Sequence, residues 1–317
     1  MSALLAMVPQ VQDALARSPA RSWLVMARSV DYIGTVPFVG GTAFLATLWP
    51  AGTQDIRARG VLAAGLVMGL FGTLLAIVLY GAWVGEVPMA EAFRWEVARS
   101  VLDTTFGQVW AAKALLWVLA TVVMADLFTR GEQATRSVAW RVIAVVVCAA
   151  LLRTLGMAGH VAEGGVLVMG IADFVHVAGI SLWGGGLAVL LFGLLPRQRP
   201  EELATVMPRY SRLVFGSVLA VVTGGIVLSW GLVGSWPELV GSGYGQLLMI
   251  KIGIFGAVLV TAIAGKKWFD RRLDVTVARH GGVAVARPFV YSVAMQTVLV
   301  AVVLLATSFL VTAVPGR

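Results

Sequence analysis

The sequence predicts an all-α, polytopic integral membrane protein with eight transmembrane helices, and two observations carry that expectation. Of 317 residues, 59% are apolar and 13% are charged, about half the charge of an ordinary soluble domain, and the mean hydropathy is +0.89. The apolar residues fall into eight stretches, 23–49, 61–84, 106–128, 138–158, 166–195, 212–236, 245–265 and 289–313. Each is long enough to cross a hydrocarbon layer that takes about 20 residues of helix. The loops between them are too short to fold as separate soluble domains, so any chemistry belongs in or against the membrane.

The elements follow in chain order. Residues 1–22 carry Pro9 and have no basic region ahead of their apolar residues. They read as an external segment rather than a cleaved secretory signal. Glu86 to Leu102 mixes Glu86, Glu91, Arg94, Glu96 and Arg99 with Phe93, Trp95 and Val97, the composition of an amphipathic segment lying on the lipid surface. Trp23, Trp49, Trp83, Trp236 and Trp268 stand near span ends, where interfacial belts are expected. Counting Lys and Arg on alternate sides gives five on one and fifteen on the other. The positive-inside rule then places both termini outside.

Some functions are excluded or lose support. The single cysteine, Cys148, cannot make an internal disulfide or a CxxC metal site. The chain has no GxxxxGK[ST], HExxH or dinucleotide fingerprint, so it reads as a non-enzyme. The net charge of +8 is spread over loops by topology rather than gathered on a face for nucleic acid; the partner it implies is membrane lipid.

The chain repeats itself. Phe106-Gly107-Gln108-Val109 leads to Lys113 as Tyr244-Gly245-Gln246-Leu247 leads to Lys251. More weakly, Asp31-Tyr32-Ile33 with Gly40-Gly41 matches Asp173-Phe174-Val175 with Gly184-Gly185. A duplicated four-helix unit is expected, residues 23–158 and 159–317, and an even number of spans gives the two units the same orientation.

Four basic residues, Arg28, Lys113, Arg153 and Lys251, lie inside spans, in the outer half by the deduced orientation, together with Asp31 and Asp173. Intramembrane charge is costly and is usually turned to a protein interior or aqueous cavity with a partner. The layer reads as a polar chamber open to the outside. For any one residue a plain alternative exists: Arg28 and Asp31 could pair on their own helix, and the lysines could snorkel.

The hairpin of spans four and five is the most informative segment. Arg153, Met157 and His160 stand at i, i+4, i+7, and after a Gly-rich turn Met169, Asp173 and His176 repeat that spacing. Each trio shares a helical face. Antiparallel packing puts Arg153 and Asp173 at matching depth, close enough to pair. Thioether and imidazole suit Cu(I), and imidazole with carboxylate suits Cu(II), so copper is the expected ion, Cu(I) ahead of Cu(II). A lone His or Met on a membrane helix most often packs or bonds to a neighbour; the metal reading rests on both trios facing each other. Cys148 reads as a packed apolar residue. So do Gly65 and Gly69, and the run Gly184-Gly185-Gly186.

Taken together, Gly159-His160, Asp173-Phe174-Val175-His176, Trp183-Gly184-Gly185-Gly186-Leu187, Tyr210-Ser211-Arg212, Thr223-Gly224, Tyr244-Gly245-Gln246-Leu247-Leu248 and Lys251 resemble the bacterial copper resistance D (CopD-type) inner-membrane proteins. The likeness covers about 155 to 312 and reaches the first half through the repeat. It implies a copper uptake or resistance permease, often served by a periplasmic copper-binding protein of the copper resistance C type. His160, Asp173 and His176 match positions of the family pattern, while Met157 and Met169 come from spacing alone. Two other readings stay open: a haem-binding redox subunit, since two histidines can ligate haem axially, and an anion transporter using the outer Lys/Arg layer.

Overall fold

The computed structural model describes residues 19–157, 167–233, 236–276 and 286–312. In chain order the helices are α1 (Pro19–Thr47), α2 (Ile56–Val84), α3 (Trp95–Leu102), α4 (Thr105–Arg130), α5 (Glu132–Arg136), α6 (Val138–Met157), α7 (Leu167–Val189), α8 (Pro200–Val233), α9 (Trp236–Gly241), α10 (Gly243–Thr276) and α11 (Ala286–Thr312). The eight long helices coincide with the eight apolar stretches. Among the described residues, seven are long and apolar enough to cross a membrane. The other, α1, spans 29 residues but carries Arg28, Asp31 and Pro37, which dilute its apolar character. Helices α8 and α10 run well past the apolar stretches that predicted them, α8 continuing through Pro208.

Side chains such as Val67, Phe71, Leu115, Val118, Val142 and Val145 are exposed, the expected condition of a surface covered by lipid. The interior is built on α1 and α7. Three consecutive glycines of α7 illustrate how: successive residues on a helix point about 100° apart, and each glycine admits a different neighbour. A Cβ on Gly184 would stand 3.0 Å from Val300 of α11, one on Gly185 2.6 Å from Gly40 Cα of α1, and one on Gly186 3.1 Å from the hydroxyl of Tyr210 of α8. That hydroxyl donates to Trp183 O at 2.8 Å. The α1–α2 seam is as close: a Cβ on Gly65 would stand 2.9 Å from Gly34 O, and one on Gly72 would stand 2.5 Å from Asp31 N.

Past α7 the chain continues through a π-helical turn, Leu190–Leu194, to Arg197. There the α7–α8 connection is tied to the α1–α2 connection: Arg197 Nη1 lies 2.8 Å from Asp55 Oδ2, and its Nε 3.1 Å from Glu202 Oε2. Asp55 also caps α2, accepting from Arg57 N at 3.0 Å and Ala58 N at 2.9 Å. Partial burial acts to raise the Asp55 carboxyl, but these backbone donors and Arg197 outweigh it and hold the carboxyl below its ordinary range. Cys148 is packed against the core, as its apolar setting predicted.

Candidate functional site

Two groups of ionisable side chains lie inside the bundle. In the first, Asp31 of α1 is fully buried, and Lys113 of α4 is 1% exposed. Lys113 Nζ donates to Asp31 Oδ2 at 2.5 Å. The single hydrogen of the Thr73 hydroxyl lies between Gly69 O at 2.7 Å and Asp31 Oδ1 at 3.2 Å, while Trp117 Nε1 donates to the same hydroxyl at 3.1 Å. The buried guanidinium of Arg28 lies over the rings of Phe106 and Trp110, at 5.3 and 5.8 Å, and Lys113 Nζ lies 5.2 Å from the Trp110 ring. Arg28 and Asp31 therefore do not simply pair along their own helix: the carboxylate is held across helices by Lys113.

The second group centres on α7. His176 Nδ1 lies 2.7 Å from Val221 O of α8. A carbonyl can only accept, so Nδ1 carries the hydrogen, and in a neutral ring the lone pair is then on Nε2. This is the arrangement by which a backbone carbonyl fixes the tautomer and orientation of a metal-ligating imidazole. Room for the ring comes from two glycines: a Cβ on Gly224 would stand 2.9 Å from His176 Cβ, and one on Gly225 3.3 Å from the ring. Met169, two turns earlier, likewise lies against a glycine of α8, its Sδ 2.5 Å from where a Gly231 Cβ would stand.

Asp173 looks elsewhere. Its carboxylate lies against Gly156 of α6, with Cγ 2.6 Å from an added Cβ, and Arg153 of α6 lies over Gly170 of α7, with Nη2 at 3.2 Å. Each helix thus leaves a glycine-sized gap for the other's charged side chain. The two side chains stand at the matching depth the hairpin predicts, yet they form no ion pair within 4.0 Å. Asp173 Oδ2 and Arg153 Nη1 are both buried with no hydrogen-bond partner among the described residues. The charges of Arg153 and Lys251 are close enough to act on Asp173, and that of Lys251 on His176 as well. Met157 is the last described residue of α6, and its side chain is exposed. His160 lies outside the described residues. Among those described, no three His, Cys, Asp or Glu side chains gather into a metal-sized cluster.

The contacts of the first half recur in the second, in a register that differs from the sequence match of Asp31 with Asp173. A Cβ on Gly72 would meet Ala27 O and Asp31 N, at 2.8 and 2.5 Å; a Cβ on Gly224 would meet Ala172 O and His176 N, at 2.6 and 3.1 Å. Gly34 packs on Gly65 and Gly69 as Gly179 packs on Ser217 and Val221. Asp31 therefore corresponds to His176, and Arg28 to Asp173, three residues from the sequence register. Short identities such as Asp-aromatic-aliphatic slide by a helical turn without changing face, and only the interhelical contacts fix which turn is meant. Lys113 and Lys251 keep their match. Thr104 Oγ1 accepts from Gly107 N and Ser242 Oγ from Gly245 N, each at 3.0 Å, and both glycines abut the chain six residues back, at Val101 and Leu239. Sequence reasoning missed Val221 O, Thr73 and Trp117. The first is a backbone atom with no side-chain signal, and the other two look like ordinary apolar-helix residues.

A buried carboxylate–lysine pair and an oriented imidazole inside a bundle of apolar helices define a polytopic membrane protein with ionisable groups built into its interior. The chain belongs to the copper resistance D family: the family's profile "Copper resistance protein D-like, N-terminal domain" matches residues 18–169, and "Copper resistance protein D" matches residues 204–310. It is similar to the copper transport protein CutJ of Bacillus subtilis (strain 168), at 26% identity over 241 residues, which is 74% of this chain and 44% of that protein. The aligned part thus spans less than half the length of that relative. No solved structure matches the chain.

Proposed function

We propose that the chain carries copper across the bacterial cytoplasmic membrane, receiving it at the outer face and passing it along α6 and α7. The observation that carries this reading is the His176 Nδ1–H bond to Val221 O, at 2.7 Å, which leaves the Nε2 lone pair available to a ligand while Asp173, one turn earlier, keeps a buried oxygen without a hydrogen-bond partner among the described residues. Imidazole, carboxylate and thioether together favour copper over hard cations, with Cu(I) the preferred state. His160 captures the ion, Met157 and Met169 relay it, and Asp173 with His176 form the deeper site. Arg153, Lys113 and Lys251 set the local charge. The fifteen-to-five distribution of loop bases supports external termini, and a periplasmic protein of the copper resistance C type is the partner that would deliver the ion.

The test is copper and iron per chain, by elemental mass spectrometry, on detergent-purified protein after anaerobic Cu(I) loading and washing, beside the His160→Ala/His176→Ala variant. Near-stoichiometric copper lost in the variant supports the reading; iron points to a haem subunit instead. A second reading, transport of an anion, draws on the buried Arg153 Nη1, which has no hydrogen-bond partner among the described residues. It gains if neither metal is retained and Arg153→Gln abolishes uptake of a carboxylate or phosphate.

A further inference from the structure

We propose that the ion leaves His176 along the seam between α7 and α8, past Ser217 and Trp183, and that Arg197 at the end of that seam is the gate that shuts it. The inference rests on the copper reading of the Asp173–His176 site and adds the second half of the route, toward the face that bears Arg197.

One face of α7 carries His176, Gly179, Trp183 and Gly186 at intervals of three and four residues, and each meets α8. His176 bonds to Val221 O, a Cβ on Gly179 would stand 2.7 Å from Ser217 O, the Tyr210 hydroxyl donates to Trp183 O at 2.8 Å, and a Cβ on Gly186 would stand 2.4 Å from the Tyr210 ring. Ser217 is 3% exposed and Trp183 0%, yet neither the Ser217 hydroxyl nor the Trp183 indole N–H has a hydrogen-bond partner among the described residues. Hydroxyls inside these helices can return to the carbonyl one turn back, as Thr42, Thr121 and Thr297 do, and the indoles of Trp117 and Trp140 donate to Thr73 Oγ1 and Val123 O. The matched positions of the first half lack both donors. Asp31 answers to His176, so Phe38 answers to Trp183, and the shared glycine contact makes Gly65 answer to Ser217. The edge-on contact of Phe38 with Trp117, at 5.3 Å, recurs as that of Trp183 with Phe255, at 6.1 Å, and Trp117 and Phe255 each follow the matched lysine by four residues. The added polar hydrogens belong to the half that holds the oriented imidazole.

The seam is shut as it stands, since neither Gly179 nor Gly186 has room for a methyl group. Buried donors without partners are costly in a low-dielectric interior, so the closed seam carries a penalty that water entering with the ion removes. What holds it closed lies at its end. There α7 gives way to the π-helical turn Leu190–Leu194, a form frequent at functional sites. A Cβ on Gly193 of that turn would stand 3.3 Å from Trp49, whose own indole N–H is buried with no hydrogen-bond partner among the described residues. Arg197 follows, its guanidinium 5.6 Å from the Trp49 ring. It binds Asp55 of the α1–α2 connection at 2.8 Å and Glu202 of α8 at 3.1 Å, with its side chain 25% exposed. One side chain within reach of water therefore ties the end of α7 to α8 and to the first half, and its release frees both ties at once.

The experiment uses the full chain in sealed membrane vesicles, metal-free, in a Cys148→Ser background. Ser217→Cys, alone and with Arg197→Gln, is treated with a membrane-impermeant methanethiosulfonate reagent applied to each face in turn; modification needs a thiolate, and hence water at the sulfur. Val123→Cys, at a buried position of α4, reports general loosening. Ser217→Cys should react only from the face that bears Arg197, about five-fold or more faster with Arg197→Gln, while Val123→Cys stays inert in both backgrounds. Equal rates with and without Arg197, reaction from the opposite face, or a parallel rise at Val123→Cys each overturns the gate. Copper uptake is then compared in Ser217→Thr and Ser217→Val, which share a shape and differ in the hydroxyl. The Val variant should carry about ten-fold less than the Thr variant, with copper bound per chain unchanged. Equal uptake overturns the route and leaves the copper site standing. If wild type binds no copper, the cargo reading falls and copper's exit with it, whatever the labelling shows.

Discussion

Gly40 and Gly185 touch each other at the crossing of α1 and α7, and the contact is reciprocal. A Cβ on Gly185 would stand 2.6 Å from Gly40 Cα and 2.5 Å from Val36 O, and a Cβ on Gly40 would stand 2.8 Å from Gly185 Cα and against Ser181 O. Val36 is to Gly40 as Ser181 is to Gly185, so each half offers the other the same patch, the mark of a two-fold relation. The obstructing atoms are backbone, which cannot rotate aside. Gly40→Ala and Gly185→Ala should each destabilise the protein by about 3 kcal/mol or more through overpacking. Gly216→Ala and Gly253→Ala, where an added Cβ meets nothing within 4 Å, should be neutral or stabilise by up to about 1 kcal/mol. Thermal unfolding of the four variants in one detergent checks the contrast.

The Lys113–Asp31 pair is enclosed on all sides, so removing one partner leaves a charge in a low-dielectric interior. Lys113→Met or Asp31→Asn alone should cost about 3–5 kcal/mol, while Asp31→Leu with Lys113→Met should recover most of that loss. Unfolding midpoints of the two single variants and the double variant decide this. A double variant as unstable as the singles would mean the pair is held for more than charge balance.

At His176 the predictions separate ligand from support. His176→Ala should abolish copper-dependent transport while leaving the fold intact. Gly225→Val, which sets bulk against the ring where a Cβ would already stand 3.3 Å away, should turn the imidazole off Val221 O and lower copper affinity about 10–100-fold, as loss of an outer-shell partner does. Measured affinity equal to wild type in Gly225→Val would show that the Val221 bond does not orient the ligand.

Asp55 carries two functions that substitution can part. Asn keeps a capping oxygen but loses the charge on Arg197, so Asp55→Asn should cost under about 1 kcal/mol, whereas Asp55→Ala loses cap and ion pair and should cost about 2 kcal/mol. Because the folded carboxyl is held below its ordinary range, its contribution is present at neutral pH and is lost as pH falls through the folded value. The difference in unfolding temperature between wild type and Asp55→Ala should therefore shrink on acidification below about pH 4.

Much of this molecule can be read from its residues alone. Apolar runs of about 20 residues admit one solution in lipid, a helix with every backbone group satisfied within itself, so the long helices, their order and the short connections follow from composition. The residues worth attention are also visible, because Arg28, Asp31, Lys113, Arg153, Asp173, His176 and Lys251 are costly where they stand. Residue pattern fixes each helix's apolar faces but not the rotation and offset at which two helices cross. Those are decided by which glycines meet which backbone atoms, as at Gly40 and Gly185 or Gly224 and His176. The partner of Asp31 is accordingly Lys113, on another helix, rather than its neighbour Arg28. The same crossings put His176 rather than Asp173 in the place of Asp31. Tertiary structure alone settles these, since a helical period repeats every turn and only a steric contact between helices distinguishes one turn from the next.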